Sequence, residues 1–209
     1  MVDISSEEHI KKYCPFDDSN NIAFTYLLEE TADFKIVCDY NPLKEGHILI
    51  IPKEHIPSIG EYPDQLFNNF LKVYQKVSKF ILSNYGSLST FEHGKIGQTV
   101  FHSHVHLLPF NGNSIDIIPE GKDYIEEIKN LDDLRGKKEY LFFSINDKKW
   151  IVNTEIGVPR FFRDRFANAI GEPERGNWKI VQNDLNLRKK FDTESIKCKN
   201  LWIKWDARN

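Results

Sequence analysis

No apolar run in this 209-residue chain approaches the ~20 residues of a bilayer-spanning helix, which argues against a helical membrane anchor and for no membrane partner. The first residues, Met1-Val2-Asp3-Ile4-Ser5-Ser6-Glu7-Glu8, are acidic and do not read as a secretory signal. Cysteine is scarce. Cys14, Cys38 and Cys198 are an odd number at no framework spacing, which points to reduced thiols and a cytoplasmic location. Basic charge is not in surplus either: Lys and Arg number 28 against 31 Asp and Glu, for a net charge of −3. Nucleic acid is therefore not the expected partner, since a basic footprint usually accompanies phosphate-backbone binding. A small nucleotide needs only local positive charge. There is no internal repeat, no low-complexity run, and no histidine in residues 111–209. What remains is a globular composition, 40% hydrophobic and 28% charged, able to bury a core in one or two domains.

Three of the seven histidines stand on alternate positions, His102, His104 and His106, within the run Gly97 to Pro109. The flanking Val100, Phe101, Val105, Leu107 and Leu108 are mostly β-formers and predict a strand over 100–108. The imidazoles would then line one face at intervals of about 7 Å, with Val105 and Leu107 turned into a core. Three readings are open. A polar strand face is one, but Ser, Thr or Lys would serve it as well. A metal site is another, although three histidines from one strand rarely close a tetrahedral shell alone. The third is nucleophilic catalysis, because an imidazole of pKa about 6.5 is partly neutral at pH 7 and can attack phosphorus.

Residues 22–59 read as strands joined by turns, clearest over 35–40 and 47–52 with Asn41-Pro42 between them. From Asp64 to Tyr85, Leu66, Phe67, Phe70, Leu71, Tyr74, Val77, Phe80 and Ile81 recur at three-and-four spacing, an amphipathic helix stopped by Gly86. A strand over 88–93 precedes the histidine strand. Together these predict an α+β fold in which an antiparallel sheet is packed by one long helix. Asn111-Gly112-Asn113-Ser114 marks a boundary, giving a catalytic domain over 1–110 and a smaller α/β extension over 111–209. In the extension, 124–134 reads as a charged helix. Residues 139–145 and 149–152 form a hairpin around Asn146-Asp147, 159–170 is a helix ended by Gly171, and 201–205 alternates like a strand.

The run His102-Ser103-His104-Val105-His106-Leu107-Leu108 resembles the histidine-triad (HIT) signature, with Ser103 in a slot that is usually apolar. The stretch Asp39 to Ile56 is similar to the family's other long block, and Gly97-Gln98-Thr99 to the turn before its triad. The resemblance spans about 13–110. It implies a nucleotide hydrolase that breaks a bond at the α-phosphorus of an adenine dinucleoside polyphosphate or nucleotide conjugate. His104 would be the nucleophile that forms a nucleotidyl-imidazole, with His102 and His106 holding that ring and the phosphate oxygens. Asp39 would take the ribose hydroxyls, Gln98 and Thr99 would donate to phosphate, and His47 would stand behind the triad. Transfer of the nucleotidyl group to another acceptor, and a non-catalytic nucleotide-binding scaffold, are the rival readings.

Two departures from the family pattern matter. Where many relatives carry an amide before the triad loop, this chain has Thr90-Phe91-Glu92-His93-Gly94, so Glu92 or His93 would face the leaving group. That string is similar to HIT-like proteins with C-terminal extensions, of dinucleoside-polyphosphate-hydrolase or CwfJ-like type. The family's Cys-x-x-Cys is here Cys14-Pro15-Phe16-Asp17, one thiolate replaced by a carboxylate. A structural zinc on Cys14, Asp17, His55 and His102 is therefore disfavoured, no metal is assigned, and Mg²⁺ enters only as a companion of a polyphosphate substrate. In the extension, Arg160 and Arg163 lie three apart at a helix start, a natural anion site that could close over distal phosphates. A solvated basic face is the plain alternative. The family often pairs as homodimers, which the extension could support or block.

Overall fold

Eight short segments, several of them rich in β-branched and aromatic residues, assemble into one antiparallel sheet. The computed structural model describes residues 14–181 and 184–208. Strands β1 (Leu27–Glu30), β2 (Phe34–Cys38), β3 (Ile48–Pro52), β4 (Ser89–Glu92) and β5 (Val105–Leu108) come from the first half. Strands β6 (Ile125–Ile128), β7 (Leu141–Ile145) and β8 (Lys148–Val152) come from the second. Their order across the sheet is β1-β2-β3-β5-β4-β7-β8-β6. The segments on either side of residue 111 thus share one sheet, joined where β4 pairs with β7 from Ser89↔Ile145 to Glu92↔Phe142.

Helix α1 (Asp64–Tyr85) covers one face, as its apolar spacing requires, and ends at Gly86 in the left-handed conformation that only glycine adopts without strain. A short turn α2 (Ser114–Ile117) precedes β6. Helices α3 (Phe161–Ile170), α4 (Trp178–Val181) and α5 (Leu185–Asp206) complete the α+β fold. With α1, α5 and the inward residues Ile48, Ile50, Val105 and Leu107 form one core. Phe161, Phe162 and Phe166 of α3 pack on the opposite face with Phe91, Leu108 and Phe143. No helix among the described residues is long and apolar enough to cross a membrane.

Three expectations from the pattern are corrected. Residues 125–128 form strand β6 rather than a helix, because the edge of β8 pairs with them. The alternation at 201–205 is the last turn of α5. Trp202 and Trp205 recur at helical spacing and bury their rings on Phe80 of α1, with centroids 4.9 and 5.6 Å away. The histidine strand begins only at Val105, so His102 and His104 lie in the irregular segment before it.

Candidate nucleotide-binding site

A cavity of about 600 Å³ opens beside β2 and β5, with Asp39, Thr99, His104 and His106 from the first half and Arg163 and Trp178 from the second on its walls. Its histidines carry their protons in an order that backbone groups dictate. The amide of Leu43 donates to His47 Nδ1 at 3.0 Å, so the His47 proton sits on Nε2 and is donated to His106 Nδ1 at 2.9 Å. This leaves a proton on His106 Nε2. His104 donates from Nδ1 to the carbonyl of His102 at 2.7 Å, which leaves a lone pair on its Nε2.

Burial keeps these rings neutral. Loss of water pushes the His104 and His47 imidazoles down to about 4, and His106 well below its ordinary value. The nearby Arg163 guanidinium acts in the same direction on all three. The His106 ring also stacks on Phe91 at 4.1 Å and an interplanar angle of 15°, which fixes its plane. Asp39 is buried within 3.5 Å of His47 and 3.9 Å of His106. Burial alone would raise its carboxyl, but the Arg163 guanidinium at 2.7 Å and the His47 ring hold it below the usual carboxylate range. The cavity therefore presents a neutral nucleophilic nitrogen, an imidazole N–H and an ionised carboxylate within one wall.

Comparison with known proteins places this wall in a family. The model of the HIT domain matches residues 24–113. The protein hit of Bacillus subtilis is 30% identical over 98 residues, which are 45% of this chain and 68% of that one. The chain belongs to the HIT family. Adenylylsulfatase HINT3 of Arabidopsis thaliana is 35% identical over 77 residues, 35% of this chain and 39% of that one. Adenosine 5'-monophosphoramidase HNT1 of Candida albicans is 32% identical over 93 residues, 41% of this chain and 61% of that one. The matched stretch thus spans less than two thirds of these last two relatives' own lengths.

Several candidate residues do not line the cavity. His102 is fully buried, donating from Nε2 to the Pro52 carbonyl at 2.8 Å, and so cannot hold a phosphate oxygen. Gln98 donates to the Pro57 carbonyl at 2.9 Å. Arg160 caps α3 in the left-handed conformation and pairs with Asp164 at 3.2 Å, away from the cavity. Glu92 does not face a leaving group. It is buried and accepts from the Ile59 amide at 3.1 Å, from Ser103 Oγ at 2.6 Å and from the Tyr140 hydroxyl. His93 accepts from the Phe162 amide at 3.3 Å and thereby caps the start of α3. Thr99, His47, Asp39 and Arg163 are brought to the wall or directly behind it.

The cysteine-aspartate pair is brought together with histidines after all. Ligand atoms of Cys14, Asp17, His55 and His102 lie within 4.8 Å of one another. Because His102 donates from Nε2, its Nδ1 offers a lone pair, and that lone pair faces the Asp17 carboxylate at 3.2 Å. Cys14 Sγ lies 3.5 Å from the same nitrogen, so a shared proton or a metal ion would satisfy this contact. One sulfur, one oxygen and two nitrogens are a donor set that could hold a zinc-type ion, although the loss of the family's second thiolate disfavours it. Four contributors escaped sequence reasoning: Phe91, Trp178, Arg175 and Arg188. A phenylalanine in a strand and arginines in charged helices look ordinary until the sheet and α5 bring them to the site.

Proposed function

We propose that this HIT protein is a nucleotide hydrolase cleaving at the α-phosphorus of an adenine nucleotide conjugate, through a nucleotidyl intermediate on His104. The observation that carries the reading is the fixed tautomer of His104: its Nδ1 proton is engaged by the His102 carbonyl, so Nε2 is the unprotonated atom. In the first step a bond forms from Nε2 to the α-phosphorus as the bond to the leaving group breaks, and that group departs with the electron pair. Water then attacks the phosphorus, the N–P bond breaks, and a mononucleotide and a proton are released. His106, relayed from His47, donates its Nε2–H to a phosphate oxygen, and Thr99 lies on the same wall. Asp39 accepts from ribose hydroxyls. Two of the three named relatives carry the names adenylylsulfatase and adenosine 5'-monophosphoramidase, which supports a conjugate of AMP as the substrate.

The test is intact-mass spectrometry during turnover of adenosine 5'-monophosphoramidate, adenylyl sulfate and diadenosine tetraphosphate, with His104→Ala alongside. The expected result is a transient AMP adduct on the wild type only, with AMP released. Turnover of none of the three, together with nucleotide binding, would overturn the hydrolase reading in favour of a binding protein. An adduct discharged only when inorganic phosphate is added would instead identify a transferase.

A further inference from the structure

The loop Asp39-Tyr40-Asn41-Pro42 leaves the sheet at the end of β2. The carbonyls of Tyr40, Asn41 and Pro42 are each taken by a different arginine of the second half of the chain. Arg188 donates to the Tyr40 carbonyl at 2.6 Å and lays its guanidinium 3.9 Å over the Tyr40 ring. Arg163 donates to the Asn41 carbonyl at 2.6 Å, and Arg175 to the Pro42 carbonyl at 3.2 Å. Arg175 is 1% exposed and is itself held by Glu194 at 2.7 and 2.8 Å. The remaining nitrogen of the Arg163 fork reaches Asp39 Oδ2 at 2.7 Å, while the Asn41 amide donates to Oδ1 at 2.9 Å.

Satisfying buried carbonyls would explain arginines in general. It does not explain why one fork spans both the loop backbone and the carboxylate on the cavity wall. A carboxylate has about four lone-pair sites. One on each oxygen is now occupied, so the two left over are fixed in direction by rigid donors. Two acceptor sites aimed in fixed directions suit a vicinal diol, whose paired hydroxyls must be met together.

Building on the nucleotide reading above, we infer that Arg163 is a positioning residue that aims Asp39 at both hydroxyls of a ribose. The second half of the chain thereby makes the site select ribonucleotides over their deoxy counterparts. Arg175 and Arg188 hold the loop on which that aim depends.

The experiment is calorimetric binding of AMP and of 2',3'-dideoxy-AMP to the full chain and its variants. Wild type is expected to prefer AMP by about tenfold or more, the worth of one or two hydrogen bonds to a charged group. Arg163→Gln is expected to bring AMP down to the dideoxy level while the dideoxy affinity stays within about threefold. Arg163→Lys should restore part of the preference. Arg165→Gln, on the same helix but paired with Glu120, should leave both affinities unchanged. If Arg163→Gln does not fold, Arg163→Lys decides: a reduced AMP preference supports the inference. A preference unchanged in the Arg163 variants would overturn it, however far their melting temperatures fall. Wild type that binds neither nucleotide would overturn the nucleotide reading itself.

Discussion

Glu92 and Ser103 depart from the family pattern at two places, and each answers the other. Ser103 stands between His102 and His104 and is fully buried, yet its hydroxyl is satisfied by Glu92 and by the Tyr62 hydroxyl at 2.8 Å. The segment before β5 is thereby tied to the end of β4 and to the Ile59 turn. Burial pushes the Glu92 carboxyl up to about 7, against three donors that favour the ionised form. The bound proton favours the fold. This contribution is complete below the ordinary value of 4.5 and is lost as pH rises through about 7. The buried histidines act oppositely: their lowered values make stability fall as pH drops from 6.5 towards about 4. Comparison with Glu92→Gln isolates the carboxyl. The stability of wild type relative to that variant should fall by about 3 kcal/mol between pH 4.5 and 7.5 in urea titrations. A difference independent of pH would mean that Glu92 is ionised throughout.

The other residue-scale expectation concerns Cys14, Asp17, His55 and His102. Their clustered ligand atoms predict a bound divalent ion, close to one per chain by elemental analysis, after purification without chelator. Asp17→Ala should lower that content, and chelation should lower the melting temperature of wild type by several degrees. Metal-free wild type whose melting is indifferent to chelator would assign the lone pair at Nδ1 to a proton instead.

Among the elements, what the sequence made legible was whatever a long pattern or a strong stop signal encoded. The α1 stripe over 64–85 and Gly86, the α3 aromatics with Gly171, and the turn at Asn146-Asp147 all formed at their expected places. Short windows misled. Residues 201–205 alternate, but Phe191, Ser195, Cys198, Trp202 and Trp205 recur over the whole of α5, and the longer period decides. Ile125 to Ile128 fits either period, and only the open edge of β8 makes it a strand. At the site, the spacing of the histidines stands out in the sequence and the resemblance nominates Asp39; His104, His106 and Asp39 line the cavity, whereas His102 does not. The roles of Glu92 and Arg175 were not legible, because a buried carboxylate and a buried arginine are recognisable only once their partners are in place.

The turn before the triad is where two elements from opposite halves of the chain meet. Gly97 has φ +69°, and a Cβ there would collide with the Val158 carbonyl just ahead of α3. Its own carbonyl accepts from the Arg160 amide at 3.2 Å. Gly97→Ala should cost about 1–3 kcal/mol of stability through strain and displaced packing. It should also weaken nucleotide binding, since moving α3 moves Arg163. Unfolding curves and AMP titration of the one variant check both, and lowered stability with intact affinity would uncouple the turn from the site.

At the scale of the whole molecule, the sheet decides what can be separated. Strand β4 pairs with β5 on one side and β7 on the other, and among the described residues the outermost strands are β1 and β6. On the α3 face, Phe91, Leu108 and Phe110 of the first half are covered by Phe143, Phe161, Phe162 and Phe166 of the second. Asp39 takes its guanidinium partner from the second half as well. A chain ending at Phe110 would therefore expose an unpaired β4 edge, a contiguous aromatic patch and a buried carboxylate stripped of its counter-charge. We expect residues 1–110 expressed alone to aggregate or to unfold without cooperativity in urea. Coexpression with 111–209 should restore a soluble complex, because the two pieces share one sheet and one core. A fragment 1–110 that unfolds cooperatively and binds AMP as the full chain does would show the opposite: a self-sufficient catalytic unit to which the second half adds nothing the nucleotide can sense.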